Sequence, residues 1–224
     1  MTTTDTTIAD QVAALQRNSA GQLPPKIAAI FGAELADLAV AAVPGGVMAV
    51  GTAMPDGALL DANGSPTTLE KTRGGKPAVV VFYRGAWCPY CNLTLRTYQD
   101  VLVPALAARG VALIAVSPQK PDGSLSMQEK HALTYVVLSD PGNQIAGQLG
   151  ILTAPSEDVR AAQITLGLDL TALNADGTST IPMPTVAIVD AAGTIRWLDV
   201  HRHYTTRTEP GAILEALAVT VGQG

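Results

Sequence analysis

The apolar positions of the chain change period several times, and each change marks an element. Over residues 6–18, "TTIADQVAALQRN", Ile8, Val12 and Leu15 fall on one helical face. A second helix is predicted from Pro24 or Pro25, with proline in its first turn, to about Val43, where "PGG" at 44–46 ends it. Past Gly51 the texture turns to β. The stretch "ALLDANGSPTTLEK" reads as a short hairpin with Asn63-Gly64 at its turn. The run at 77–83 is continuous, apolar and β-branched, the pattern of a strand buried on both faces; 111–117 reads as a second buried strand, and 134–140 and 184–190 as a third and a fourth strand. Between them lie a helix from Pro89 that Pro104 should kink or split and Gly110 should end, a loop and helix around 120–133, and a short helix near 142–151. Residues 155–180 read as a polar, partly helical insertion. A hairpin at Ala191–Gly193 returns the last of these strands through "TIRWLDV", and Glu209–Val219 closes the chain as a helix.

Strands alternating with helices imply a mostly parallel sheet with right-handed crossovers, and the final hairpin adds antiparallel pairing. The expectation is an α/β sandwich with a central mixed sheet and helices on both faces. Residues 1–48 form an N-terminal helical extension and 49–224 one domain. The extension can pack on the core or on a second copy of the chain.

Composition narrows the function. With 47% apolar residues among 224, a full core can be buried without disulfides. A net charge of −5 and the lack of a basic cluster argue against nucleic acid. The first 20 residues lack a basic start followed by an apolar run, and Leu38–Met54 is broken by Pro44, Gly45 and Gly46. Neither a secretory signal nor a membrane span is expected, so the expected compartment is the cytoplasm.

The only two cysteines lie in "FYRGAWCPYCNLTLR", residues 82–96. In the cytoplasm such a pair reads as catalytic, redox-sensing or metal-binding, not as a structural bridge. Cys88 directly precedes Pro89, so it should sit at or next to a helix N-cap, where free N–H groups and the helix dipole favour a thiolate. Cys91 lies one turn on, on the same face, within reach for a disulfide. This makes Cys88 the expected nucleophile and Cys91 the resolving thiol, with Arg84 adding positive charge. Two bland readings stand beside this one: inert core cysteines, and half of a zinc site completed by His201 and His203.

From about Gly51 to Val219 the sequence resembles the peroxiredoxin-like branch of the thioredoxin superfamily, the alkyl hydroperoxide reductase/thiol-specific antioxidant family. The cysteine segment carries most of this resemblance, and "VALIAVSPQ", "VVLSDPGNQIAGQLGI" and "MPTVAIVDAAGTIRW" support it. It implies a thioredoxin-like fold and thiol-dependent redox chemistry without a bound cofactor. The peroxiredoxin motif Pro-x-x-x-Thr/Ser-x-x-Cys, laid on this chain, puts its attacking cysteine at Cys91, its threonine at Cys88 and its proline at Arg84. That order reverses the roles read from the helix end. Trp87-Cys88-Pro89-Tyr90-Cys91 and Met183-Pro184 match instead the thioredoxin pattern of Trp-Cys-x-x-Cys facing a cis-proline. With the threonine hydroxyl missing, Arg84, Arg202 and Arg207 are the candidates to stabilise charge along a breaking O–O bond.

The expected activity is therefore a dithiol oxidoreductase that reduces hydroperoxides or disulfides through Cys88 and Cys91, with a thioredoxin- or glutathione-type electron donor and a homodimer as a further possibility. Trp87 and Tyr90 either shape a substrate groove or pack over the strand end. Arg207 either caps the site or pairs with Glu209. His201 and His203 would point the same way from a strand, which leaves open a metal-handling alternative of copper-chaperone type.

Overall fold

The computed structural model describes residues 6–220; residues 1–5 and 221–224, the ends of the two predicted spans, lie outside the described residues. The chain opens with two helices, α1 (Ile8–Ser19) and α2 (Pro25–Val40). Thr7 caps α1 in a reciprocal box with Asp10, and Pro25 starts α2 at a position where a missing N–H costs nothing. A short hairpin follows, β1 (Leu59–Leu60) and β2 (Pro66–Thr67), then α3 (Leu69–Arg73) and β3 (Ala78–Phe82). The long helix α4 (Pro89–Ala107) leads to β4 (Ala112–Ser117), α5 (Pro121–Lys130), β5 (Val136–Ser139) and α6 (Gln144–Gln148). The insertion holds α7 (Glu157–Thr165) and α8 (Leu170–Leu173) and is flanked by β6 (Leu152–Thr153) and β7 (Ile181–Pro182). The chain closes with β8 (Thr185–Val189), β9 (Ile195–Val200) and α9 (Pro210–Thr220).

Seven strands form one mixed sheet in the order β2-β1-β5-β4-β3-β8-β9. β4 pairs in parallel with both β3 and β5, as right-handed crossovers through α4 and α5 require, while β8 runs antiparallel to β3 and β9. The side chains of β3 alternate between two cores. Val79, Val81 and Tyr83 face the layer of α1, α4, α5 and α9, and Ala78, Val80 and Phe82 face that of α3 and α6. That two-sided burial is why the strand reads as an unbroken apolar run.

Two expectations need correction, and one pairing is an addition to them. Pro104 does not split α4, which runs unbroken to Ala107. The proline is exposed near the C-terminal end, and the carbonyl it leaves unpaired belongs to exposed Asp100, where water can bond it. The pairing of β6 with β7 was not foreseen, because each strand is two residues long and carries no period. The second correction concerns Met183-Pro184: no cis peptide bond occurs among the described residues, so this bond is trans. Extended backbone suits the pairing on both sides of it. The Met183 N–H donates to the Ile151 carbonyl at 2.8 Å, and the Pro184 carbonyl accepts from the His201 N–H at 2.8 Å.

The extension packs on its own chain. Ile8 and Val12 join the core beneath α4, and α2 lies against α7. The Glu209 carboxylate accepts from the Ile8 and Ala9 N–H groups, both at 2.9 Å, so a residue just before α9 holds the start of α1. Where the segment after α2 meets the turn after α6, Gly150 has φ +73°, and a side chain there would collide with the Gly46 carbonyl. No helix among the described residues is long and apolar enough to cross a membrane.

Candidate active site

The turn from β3 into α4 carries the two sulfurs. Gly85 takes φ +147°, and a Cβ on it would lie 2.9 Å from the Gln119 side chain and against the Trp87 indole. Gln119 is buried, and its Oε1 accepts from the Ala86 N–H, pinning the turn to the end of β4. Cys88 is the N-cap of α4 and Pro89 its first residue, as the sequence predicts. Cys91 sits in the first turn of the same helix.

The consequence expected for Cys88 does not follow. Its sulfur makes no capping hydrogen bond, so the helix end gives it no N–H donor. Both thiols are free, at 0% and 1% exposure. Burial pushes the Cys88 thiol up, and its interaction with Cys91 raises it further. Cys91 goes the other way. Burial works against its thiolate, but the Cys88 S–H bond, the Arg207 charge, the Arg84 backbone N–H and the Arg84 charge together hold it well below the ordinary thiol value. Arg207 gives this asymmetry a geometric cause: its Nη2 lies 3.3 Å from the Cys91 sulfur and 3.9 Å from that of Cys88.

Arg207 is aimed by its own loop. Its Nη1 donates to the Tyr204 carbonyl and, at 2.7 Å, to the Thr206 carbonyl. The neighbouring Thr208 carbonyl accepts from the Tyr98 hydroxyl of α4 at 2.7 Å, and the Thr208 hydroxyl donates to Asp199 at 2.8 Å. Glu209 is occupied with α1, so Arg207 caps the sulfurs and does not pair with it. Arg207, Cys91, His201 and Pro184 line a small cavity with room for about one water-sized molecule.

The other predicted residues divide around this centre. Arg84 is buried and stacked, its guanidinium carbon 4.0 Å from the Tyr204 ring centre and 4.9 Å from that of Trp87. Tyr90 packs near Tyr204, with ring centres 6.1 Å apart. Met183 is buried and, with Pro184 and Arg202, lines a second cleft beside the first. The histidines do not project together from a strand, because β9 ends at Val200. His201 bonds Asp199 at 3.0 Å and Thr206 at 2.8 Å, and His203 bonds Thr205 at 2.9 Å. Among the described residues no group of three His, Cys, Asp or Glu side chains is placed to hold a metal ion. Tyr204, Gln119 and Glu34 reach the site by tertiary contact and carry no local sequence signal.

The AhpC/TSA family model matches residues 50–198. The chain belongs to the AhpC/TSA family. Among curated members, peroxiredoxin Q from Populus jackii chloroplasts is 31% identical over 101 residues, 45% of this chain and 46% of that protein. This AhpC/TSA chain spans about half the length of the curated plant relatives it matches. Two solved structures share the fold. Peroxidoxin BcpB from Mycobacterium tuberculosis has a TM-score of 0.59 at 18% identity, covering 79% of this chain and 99% of that one. Reduced Prx3 from Vibrio vulnificus in complex with hydrogen peroxide has a TM-score of 0.61 at 20% identity, covering 76% and 99%. The α1 and α2 helices precede the part of the chain that the AhpC/TSA model matches.

Proposed function

We propose that this protein is a hydroperoxide reductase in which Cys91 attacks and Cys88 resolves. The observation that carries the reading is the Arg207 guanidinium 3.3 Å from a buried Cys91 sulfur whose pKa is lowered. Membership of the AhpC/TSA family and the likeness to peroxiredoxins support it. So does the size of the cavity: a small peroxide suits it better than a protein disulfide does.

The Cys91 thiolate attacks the terminal peroxide oxygen. The O–O bond breaks, Cys91 becomes a sulfenic acid, and the departing alkoxide takes a proton to leave as alcohol. Arg207 stabilises the negative charge as it moves from sulfur to oxygen. Cys88 occupies the place of the family's threonine, and burial, which keeps it a thiol, leaves its S–H to stand in for the threonine hydroxyl. Cys88 then condenses with the sulfenic acid, forming a Cys88–Cys91 disulfide and releasing water. A thioredoxin- or glutathione-type donor returns two electrons and two protons to restore the dithiol.

Single replacements test the order. Cys91→Ser should abolish peroxide consumption. Cys88→Ser keeps a hydroxyl donor and should still form a trappable sulfenic acid on Cys91, without turnover by a thioredoxin-type donor. A sulfenic acid on Cys88 in the Cys91→Ser protein would overturn the assignment.

A further inference from the structure

We propose that the second cleft is a carboxylate-binding subsite that seats the anionic end of the oxidant or of the reducing thiol. It lies between α2, the β6–β7 pair and the loop after β9, and two arginines, Arg84 and Arg202, line it. Arg84 is 6% exposed, and its guanidinium has no hydrogen bond or ion pair among the described residues; only its two ring faces are covered, by Trp87 and Tyr204. A buried cation normally has a carboxylate beside it. Here the stacking rings leave the N–H edge free for one.

Arg202 is half-buried and also keeps an unpaired N–H. Its Nη1 donates to the Ala42 carbonyl at 3.2 Å, while its Nε is buried without a partner. The one carboxylate in the lining, Glu34, lies beyond ion-pair distance of both arginines and accepts from the Tyr204 hydroxyl at 2.9 Å. With the Cys91 thiolate matched by Arg207, Arg84 and Arg202 against Glu34 leave a single positive charge, which suits a monoanion. The remaining walls include Leu38, Ile181 and Met183, which favour an organic acid over inorganic phosphate. Pro184 lines both this cleft and the Cys91 cavity, so the two sites are neighbours across one residue.

The subsite also accounts for α2. Glu34 and Leu38 lie outside the part of the chain that the AhpC/TSA model matches, yet they form one wall. The extension thus brings selectivity to a dithiol that the domain supplies.

The role of the cleft in turnover rests on the peroxidase reading, but anion binding does not. Calorimetric titration of the reduced protein should show saturable binding of butyrate and none of its neutral isostere butyramide, with inorganic phosphate binding more weakly. Arg202→Gln should weaken butyrate by about tenfold, the loss of one charge-assisted hydrogen bond. Glu34→Gln, which keeps an acceptor for Tyr204, should tighten it. Equal binding of butyrate and butyramide, or butyrate binding indifferent to both substitutions, would overturn the subsite. Two kinetic arms then identify its user. A carboxylate-bearing hydroperoxide preferred over its methyl ester marks the oxidant, and 3-mercaptopropionate preferred over 2-mercaptoethanol marks the reductant. No preference in either arm, with peroxide turnover intact, refutes a substrate role. Butyrate binding that depends on Arg202 in a protein inert to every peroxide would instead sink the peroxidase reading and leave the subsite standing.

Discussion

Cys88 and Cys91 share one helical turn and one burial state, yet their thiols are driven in opposite directions. The local rule places Cys88 correctly at the N-cap, because Pro89 is a short-range signal. It misses the charge, because Arg207 lies far along the chain and turns toward Cys91 only once Thr206, Thr208 and Tyr98 have fixed its loop. A pH profile tests this distribution. The Cys91 pKa lies well below the ordinary thiol value, so the rate of peroxide reduction should climb as pH rises through that depressed pKa and level off above it. Replacing Arg207 with Gln removes the cation, and the rising limb should move to higher pH by roughly 1–3 units. Thiolate absorbance near 240 nm, followed against pH in both proteins, reads this shift without any turnover.

At the level of elements, the strands and long helices were legible because their signals are periodic. The four predicted main strands became β3, β4, β5 and β8, each near its predicted place. What escaped reading was short or non-local: the two-residue strands β6 and β7, and the trans bond at Met183-Pro184 set by pairing on both sides. The turn between β3 and α4 lies between these cases, since its glycine is visible but its partner Gln119 is not. Gly85→Ala would force a methyl group into Gln119 and Trp87 in a backbone region that L-residues avoid. We expect a loss of about 1–3 kcal/mol in urea unfolding, with peroxide reduction impaired more than that fraction unfolded explains. Glu209→Ala takes the carboxylate from the start of α1 and should cost about 1 kcal/mol in the same measurement.

For the molecule as a whole, the sulfurs belong to the core: they pack in the cluster that also holds Val81, Leu95 and Tyr98. Size should then govern their reactivity. Hydrogen peroxide should oxidise the native protein quickly, while a bulky aromatic disulfide such as Ellman's reagent should wait for a local opening. Low urea should therefore speed the second reaction and leave the first nearly unchanged. Equal response of both would show sulfurs more accessible than their 0% and 1% exposure implies.

The grip of Glu209 on α1 has a practical corollary. Two positions before it, Arg207 lies beside the Cys91 sulfur, so a disturbance at the start of α1 reaches that sulfur through Glu209 as well as through the packing of Ile8 and Val12 under α4. An affinity tag fused at that end, or proteolytic trimming into Ile8, would be expected to detune the thiol chemistry while leaving the sheet intact.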